Sequence, residues 1–490
     1  MSCAFINPNL IYQSSDRFTT GIVYQPINLA YVVSYFKSLN ENTRVIDLFG
    51  EDPLKKKIVG NYIWLGKSID EIEKKILDKI DFFFIYANHI SNFPSIIQIS
   101  NFLKKNYPKK KIICLENSQA VTSFSLKEVK NELFQNSFDY LLVGDLEKSS
   151  YSLIDKLKNN LDISSIPGLI SKDIQNLNLS FEQDLDQLPF PAWEEFPVKN
   201  YWNLGYAHGP ISSNKFISIQ TSRGCPYPCG FCIVPDINNR RWRSRSAESV
   251  IKEIEHLNTK FDIDEFHFED LNPTVNDKRT KSICEGIIKK KLRINWKIVA
   301  GTKVESIKID TVRLLKDSGC KYVSISPESG SEKVMNKINK PFNYKHATKI
   351  VKELNKNKIY SQACFVLGYP GENQVDIFQS LKMIFNLTIR GIDEIAVFII
   401  SPLPGSKIYN ELEGQKNLDK LSFSPTWRKD YSLLNFWRII FYLTFIITKL
   451  VFYPQKIFRQ IKNFLNKKFD TKMEMVPFKA LKLFRNEKKN

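Results

Sequence analysis

Short runs of β-type residues alternate with segments of helical period twice along this chain, and that double alternation constrains the fold more than any other feature. In residues 1–162 the strand runs are Ala4–Ile6, Val45–Leu48, Phe82–Ala87, Ile112–Leu115 and Tyr140–Val143, with helical segments such as Ile27–Leu39 and Ile69–Lys79 between them. Such alternation predicts an α/β domain of the doubly wound, Rossmann-like kind, whose parallel sheet binds ligands at the carboxyl ends of its strands. No Gly-x-Gly-x-x-Gly follows any of these strands, which removes the support for a dinucleotide site. Residues 163–213 form a connecting segment centred on Asp184-Leu-Asp-Gln-Leu-Pro-Phe-Pro-Ala-Trp193, and its prolines suit a linker that docks rather than floats. Residues 214–425 resume the alternation. Strands are expected at Phe216–Gln220, Glu265–Glu269, Trp296–Ala300, Tyr322–Ile325, Gln362–Leu367 and Glu394–Ile399, with helices at Ala247–Leu257, Asp277–Lys290, Asp310–Asp317, Tyr344–Asn357 and Val375–Asn386. Repeats of this kind predict a partial (β/α)6 barrel with its chemistry at the carboxyl ends of the strands. Residues 426–490 read as a helical tail, apolar and then basic.

Immediately after the first barrel strand comes Cys225-Pro-Tyr-Pro-Cys229-Gly-Phe-Cys232, a C-x3-C-x2-C loop. Thiolates are the ligands of iron-sulfur clusters, and three on one tight loop leave the fourth iron of a 4Fe-4S cluster without a protein ligand. Gly224, Pro226, Pro228 and Gly230 supply the turns for a loop that wraps a cluster. A zinc knuckle would want a fourth ligand at comparable spacing, whereas His256 falls in the following helix and His208 precedes the strand. A ferredoxin-like carrier would also want a fourth ligand, and has no need of a barrel. The other five cysteines are scattered singly, and no secretory leader is recognised at the N-terminus. A reduced, cytoplasmic setting is therefore expected, in which tight cysteine clusters are metal sites more often than disulfides. Cys284, Cys320 and Cys364 are expected to be structural and buried.

Ser222-Arg-Gly-Cys-Pro-Tyr-Pro-Cys-Gly-Phe-Cys232 resembles the signature of the radical S-adenosylmethionine (SAM) superfamily. The likeness extends to Arg243–Glu255, to Phe268-Glu-Asp270 after the second strand, to Ser326-Pro-Glu-Ser-Gly-Ser331 after the fourth and to Leu367-Gly-Tyr-Pro-Gly-Glu372 after the fifth. The resemblance implies that Cys225, Cys229 and Cys232 hold a 4Fe-4S cluster and that SAM chelates its open iron. An electron from the cluster then cleaves the sulfonium to a 5′-deoxyadenosyl radical, which takes a hydrogen atom from substrate. It further implies that Glu269, Asp270 and Glu328 lie near the methionine ammonium and ribose hydroxyls, that Phe231 contacts adenine, and that Gly368 and Gly371 let the backbone approach the nucleoside. No catalytic acid or base is assigned.

A doubly wound domain ahead of such a barrel resembles the cobalamin-binding subgroup of the superfamily. Phe5-Ile-Asn-Pro8, Gln25-Pro-Ile-Asn-Leu-Ala-Tyr31, Asp47 and Gly144-Asp-Leu-Glu147 carry this likeness, and cobalamin is the third cofactor it implies. Two departures stand out. No Asp-x-His-x-x-Gly offers a histidine to cobalt, and the Gly-Gly turn expected after the fourth strand reads Glu116-Asn-Ser-Gln-Ala120, whose side chains could occupy cobalamin's space. His89, after the third strand, reads as a surface residue.

The net charge of +19 is compatible with an anionic partner, but many lysines sit beside Asn and Ile, as in AT-rich coding sequence, and nucleic acid is not expected. The excess is uneven: residues 454–490 hold eleven Lys or Arg against three Asp or Glu. They follow the apolar stretch Phe436–Tyr453, interrupted by Arg438 and Lys449, which fall on one helical face with Tyr442. That pattern suits a helix lying in the interface on the inner face of a membrane, or one packed on the barrel itself. The combined expectation is a radical SAM enzyme, cobalamin-dependent in methylation, acting on a lipid-like small molecule and drawing electrons from a donor such as flavodoxin or ferredoxin. The alternatives are a methylthiotransferase acting on tRNA or protein, which would want a second three-cysteine cluster where only Cys3 and Cys114 are found, and a non-catalytic cluster-binding protein.

Overall fold

In the computed structural model, which describes residues 2–412, Leu418 and 424–487, the two alternations become two six-stranded sheets. The remaining residues, including the last three of the expected tail, lie outside the described part. Strands β1 (Ser2–Asn7), β2 (Asn42–Asp47), β3 (Phe82–Ala87), β4 (Lys111–Glu116), β5 (Tyr140–Leu142) and β6 (Leu169–Ile170) form the first sheet in the order β2-β1-β3-β4-β5-β6. The first five run parallel, and β6, inside the connecting segment, adds an antiparallel edge. β1 and β3 are buried at every position, as strands covered by helices on both faces must be. The linker docks as expected: the Ser34 hydroxyl donates to the Phe190 carbonyl at 2.5 Å, and Trp193 is buried.

Two local features depart from expectation. A three-stranded antiparallel sheet of Leu10–Gln13, Lys56–Val59 and Tyr62–Leu65 was not anticipated. The helix expected over Ile69–Lys79 is broken into a 3-10 turn, Ile69–Glu71, and a single turn, Lys74–Leu77, with Ile72 extended between them.

Strands β7 (Phe216–Ile219), β8 (Glu265–Phe268), β9 (Asn295–Thr302), β10 (Cys320–Glu328), β11 (Tyr360–Leu367) and β12 (Glu394–Ile399) pair in chain order, all parallel. β7 and β12 are the edges of this open, partial barrel. Helices Ala247–Phe261, Asp277–Lys289, Thr311–Asp317, Tyr344–Lys356 and Gln374–Thr388 match the sequence reading within a few residues.

Buried ion pairs fasten the two sheets together. The Arg223 guanidinium donates to both carboxylate oxygens of Glu147, at 2.6 and 3.2 Å, and Arg243 pairs with Asp145. The Gly144–Glu147 motif therefore clamps the barrel.

Three helices end the described chain: Tyr431–Phe452, Pro454–Asn466 and Lys472–Glu487. The first lies against β12 and helix Gln374–Thr388, with its polar stripe turned inward. Lys449 donates to the Asp393 carbonyl at 2.5 Å and to Gln460 at 2.8 Å, while the Tyr442 hydroxyl accepts from the Val397 amide at 3.2 Å. Of the two placements open to this helix, its polar face is thus packed on the barrel. The third helix returns to the first domain, where Lys479 donates to the Thr20 carbonyl at 2.7 Å and Met475 and Leu483 join a core with Tyr12, Tyr201 and Phe216.

Candidate active site

The residues that follow β3 and β4 face those at the barrel strand ends across a cavity of about 1000 Å³, at the upper end of the range for small-molecule sites. Cys225, Cys229 and Cys232 all line it.

The cysteine loop is fixed from several directions. Gly224 has φ +76°, and a Cβ there would lie 2.0 Å from the Arg241 carbonyl oxygen, so the position accepts no side chain. Its amide donates to Gln119 Oε1 at 2.7 Å, tying the loop to the first domain. Farther on, the Gly230 amide donates to the Ile338 carbonyl at 2.8 Å and the Cys232 amide to the Cys229 carbonyl at 3.2 Å. All three thiols are free. Burial pushes Cys225 up to about 11 and raises Cys229 and Cys232 as well. Iron binding would displace those protons, because the metal ligates thiolate. Among the described residues no three His, Cys, Asp or Glu converge on one point as a single ion requires. A cubane instead asks each thiolate for a different iron, so three sulfurs on one loop opening into a cavity fit a 4Fe-4S cluster.

Glu328 and Phe231 also line the cavity. Glu328 sits where the β10–β11 register shifts and has φ +59°, uncommon for a residue with a side chain, so a bulge at the strand end re-aims its carboxylate. Lys340, which the sequence reading did not single out, is buried beside it and donates at 2.5 Å. Burial opposes the Lys340 charge, but Glu328 and the Cys229 thiol more than offset this and hold its pKa above the usual lysine value. Lys340 Nζ also lies 5.8 Å from the centre of the Phe231 ring, which packs edge-on against Tyr369.

Glu269 lines the cavity, but its carboxylate is engaged by His208 Nδ1 at 2.7 Å. Burial raises the Glu269 carboxyl, and the adjacent His208 ring more than offsets this, holding it below the usual range. Asp270 is not among the cavity-lining residues. Its oxygens accept from the Thr221 amide and hydroxyl at 3.0 and 2.8 Å and from the Ser222 hydroxyl at 2.5 Å, which holds the approach to the cysteine loop. Gly368 and Gly371 have φ of +86° and +77° and also lie outside the cavity wall. A Cβ on Gly368 would fall 2.6 Å from Leu434 of the tail, so the space this glycine leaves is taken by the protein's own helix.

Other lining residues were legible only in three dimensions. Tyr24 lies between two imidazoles, its ring centre 4.3 Å from that of His89 and 4.4 Å from that of His208. His89, read from sequence as surface, is 3% exposed, and burial depresses its pKa to about 3, which keeps the ring neutral. Cys364, expected to be buried in the core, instead lines the cavity, where it meets Ser324 and Gln362; Cys284 and Cys320 are buried as expected. The tail contributes Arg438, Ile439, Tyr442, Lys472 and Met475 to the wall.

The wall supplied by the first domain is rich in amides: Gln25, Asn28, Asn88, Asn117 and Gln119. Gln25 Nε2 and Asn28 Oδ1 are buried without a hydrogen-bond partner, which leaves a donor and an acceptor for a polar ligand. This composition suits the amide-fringed edge of a corrin. The turn after β4 is occupied as the sequence suggested: Gln119 Nε2 donates to Ser118 and Asn238, and Asn238 Nδ2 donates back to the Ser118 carbonyl at 2.6 Å. The wall thus offers amide partners to a corrin, while the turn after β4 is filled by its own side chains.

Residues 219–384, the cysteine loop among them, match the radical SAM superfamily. An uncharacterized methyltransferase of Pyrococcus horikoshii is 27% identical over 59% of this chain, which spans 61% of that relative's length. Cytidylyl-2-hydroxyethylphosphonate methyltransferase of Streptomyces wedmorensis is 21% identical over 80% of this chain and 79% of its own. Among solved structures, the radical SAM methyltransferase TsrM of Kitasatospora setae, with tryptophan and a SAM analogue bound, superposes with a TM-score of 0.61 over 84% of this chain and 75% of that one. The same protein with cobalamin and a 4Fe-4S cluster bound gives a TM-score of 0.60. At 15% identity that likeness is one of fold. The matched segment spans the cysteine loop and the ends of the four barrel strands after it, and the two-domain architecture is similar to that of the cobalamin-bound TsrM structure.

Proposed function

We propose that the chain is a cobalamin-dependent radical SAM methyltransferase acting on a small, largely apolar molecule. The carrying observation is that one cavity is walled by the three cysteines, by Glu328 with Lys340, and by the amide-rich strand ends of the first domain. In this reading Cys225, Cys229 and Cys232 hold the cluster, while Phe231, Glu328 and Glu269 border the SAM site. Asp270, Gly368 and Gly371 shape it from behind, as positioning residues. A bound 4Fe-4S cluster would supply the electron that cleaves the sulfonium, and a bound corrin would carry the methyl group.

The protein's own part is placement and charge. Lys340 holds the Glu328 carboxylate and puts a cation beside the thiols, favouring an anionic cluster. Glu269, ionised beside His208, offers its charge to an ammonium group. Ile22, Ile439, Met473, Met475, Val476 and Pro477 give the tail side of the cavity an apolar wall, which supports an apolar substrate. Cys3 and Cys114 are buried in the core of the first sheet, an arrangement that disfavours a second cluster and with it methylthiolation.

The test is anaerobic reconstitution with iron, sulfide and cobalamin, followed by incubation with SAM and a reductant. The reading expects 5′-deoxyadenosine, cobalt in the purified protein, and loss of iron when Cys229→Ser is prepared in parallel. A cobalt-free protein that still makes 5′-deoxyadenosine would overturn the cobalamin part, and absence of 5′-deoxyadenosine would overturn the whole.

A further inference from the structure

Helix Tyr431–Phe452 is apolar on the wrong side for a helix that merely covers a barrel. Its charged side chains point inward, while Leu433, Phe436, Ile439, Leu443, Ile447 and Val451 face outward with 47–70% of their surface exposed. Among the described residues it is the one helix long and apolar enough to cross a membrane, and about a third of its most apolar window is buried. The exposed surface continues onto its neighbours. Phe378 packs edge-on against Trp437 at 5.1 Å and is itself 55% exposed, and Phe458, Ile461 and Leu465 recur at helical spacing on Pro454–Asn466, each more than half exposed. An apolar surface drawn from three helices marks a contact site.

The charges around it indicate what the contact is. Between Tyr431 and Thr471 the chain holds seven Lys or Arg and one acid, Asp470. Four of the seven bind internally. Arg438 lies 3.6 Å from Asp16, Lys449 reaches the Asp393 carbonyl, and Lys456 and Arg459 reach the Asp393 carboxylate at 3.0 and 3.1 Å. Lys462, Lys467 and Lys468 remain exposed, beside or just after the outward apolar residues of the second helix. A greasy face edged by cations, with its acid turned to internal partners, complements the acyl and phosphate layers of an anionic bilayer.

We propose that this face docks the protein on an anionic lipid surface, with the two helices lying in the interface and neither crossing it. A crossing would tear Lys449 and Lys456 from Asp393 and carry both cations into hydrocarbon. Docking also brings lipid to the edge of the cavity, because Ile439 is both half-exposed on this face and part of the cavity wall. The proposal does not depend on the radical chemistry, since vesicle binding is read without turnover.

The experiment is flotation of the full-length, cluster-reconstituted protein with vesicles of phosphatidylcholine, alone or with about one-third phosphatidylglycerol. The protein is expected to float with the anionic vesicles and to be released by high salt. Ile447→Glu with Phe458→Glu should abolish flotation while circular dichroism and iron content stay unchanged. The combined Lys462→Gln, Lys467→Gln and Lys468→Gln variant should bind about a hundredfold more weakly, roughly fivefold per charge. Three results would overturn the proposal. They are no flotation of the folded native protein, flotation that survives the two glutamates, or a native dimer that the two glutamates convert to monomer without any vesicle binding, which would make the face a contact between two copies.

Discussion

Replacing Glu147 by Ala tests whether the two domains are fastened by the charges that the fold buries between them. Arg223 and Glu147 are 5% and 3% exposed, and the pair is bidentate at 2.6 and 3.2 Å. Removing one partner of a buried ion pair typically costs about 3–5 kcal/mol, because the other charge stays behind without water. Arg223 would keep some compensation: its Nε donates to Gln220 at 3.1 Å, Asp145 lies 3.7 Å away, and the Tyr31 ring sits 5.1 Å from the guanidinium carbon. The expected cost therefore falls at the lower end, about 3 kcal/mol. Arg223 immediately precedes Gly224 and Cys225, so the loss should also loosen the cysteine loop. The assay is urea denaturation of the apo-protein with iron content after reconstitution measured alongside, completed by Arg223→Ala and the double variant. A coupling energy near 2 kcal/mol or more supports the clamp. A single-variant cost within about 0.5 kcal/mol, the range of ordinary surface changes, with iron content intact would refute the reasoning.

Three further outcomes follow from named contacts. Gly224→Ala would place its Cβ 2.0 Å from a backbone oxygen in a left-handed conformation, so iron retention should fall sharply, with soluble yield as the control. Lys340→Met would remove a buried cation whose charge reaches the thiols, and the reconstituted cluster's reduction potential should drop in an EPR-monitored titration; an unchanged potential would show that this charge is not felt by the cluster. Docking of the tail should strengthen as pH rises from 8 to about 9.5. Lys449 and Lys479 are depressed by burial to about 8, so across this window they are increasingly neutral in the docked state while an undocked lysine keeps its proton. Glu394, which burial pushes up to about 7, has already ionised below the window and does not oppose the change. Hydrogen-exchange protection in Pro454–Asn466, taken relative to the base-catalysed intrinsic rate at each pH, should rise over that range, and protection that falls would contradict the sign.

What the sequence disclosed and what it withheld divide along a physical line. A strand such as Phe82–Ala87 was legible because a strand covered on both faces must be an unbroken apolar run, and the cysteines because cluster ligation fixes their spacing. The short strands Lys56–Val59 and Tyr62–Leu65 were not, since their identity lies in pairing with Leu10–Gln13. Lys340, His208 and Tyr24 carry no local signal either: each acquires its meaning from a partner far along the chain, Glu328 excepted, which is near in sequence but turned toward Lys340 by a bulge. The tail shows the limit most clearly. The spacing of Arg438, Tyr442 and Lys449 correctly put them on one helical face, but periodicity has no sense of inward or outward. Only Asp393, Gln460 and the Val397 amide, waiting on the barrel side, turn that polar face in and leave the apolar one to the outside.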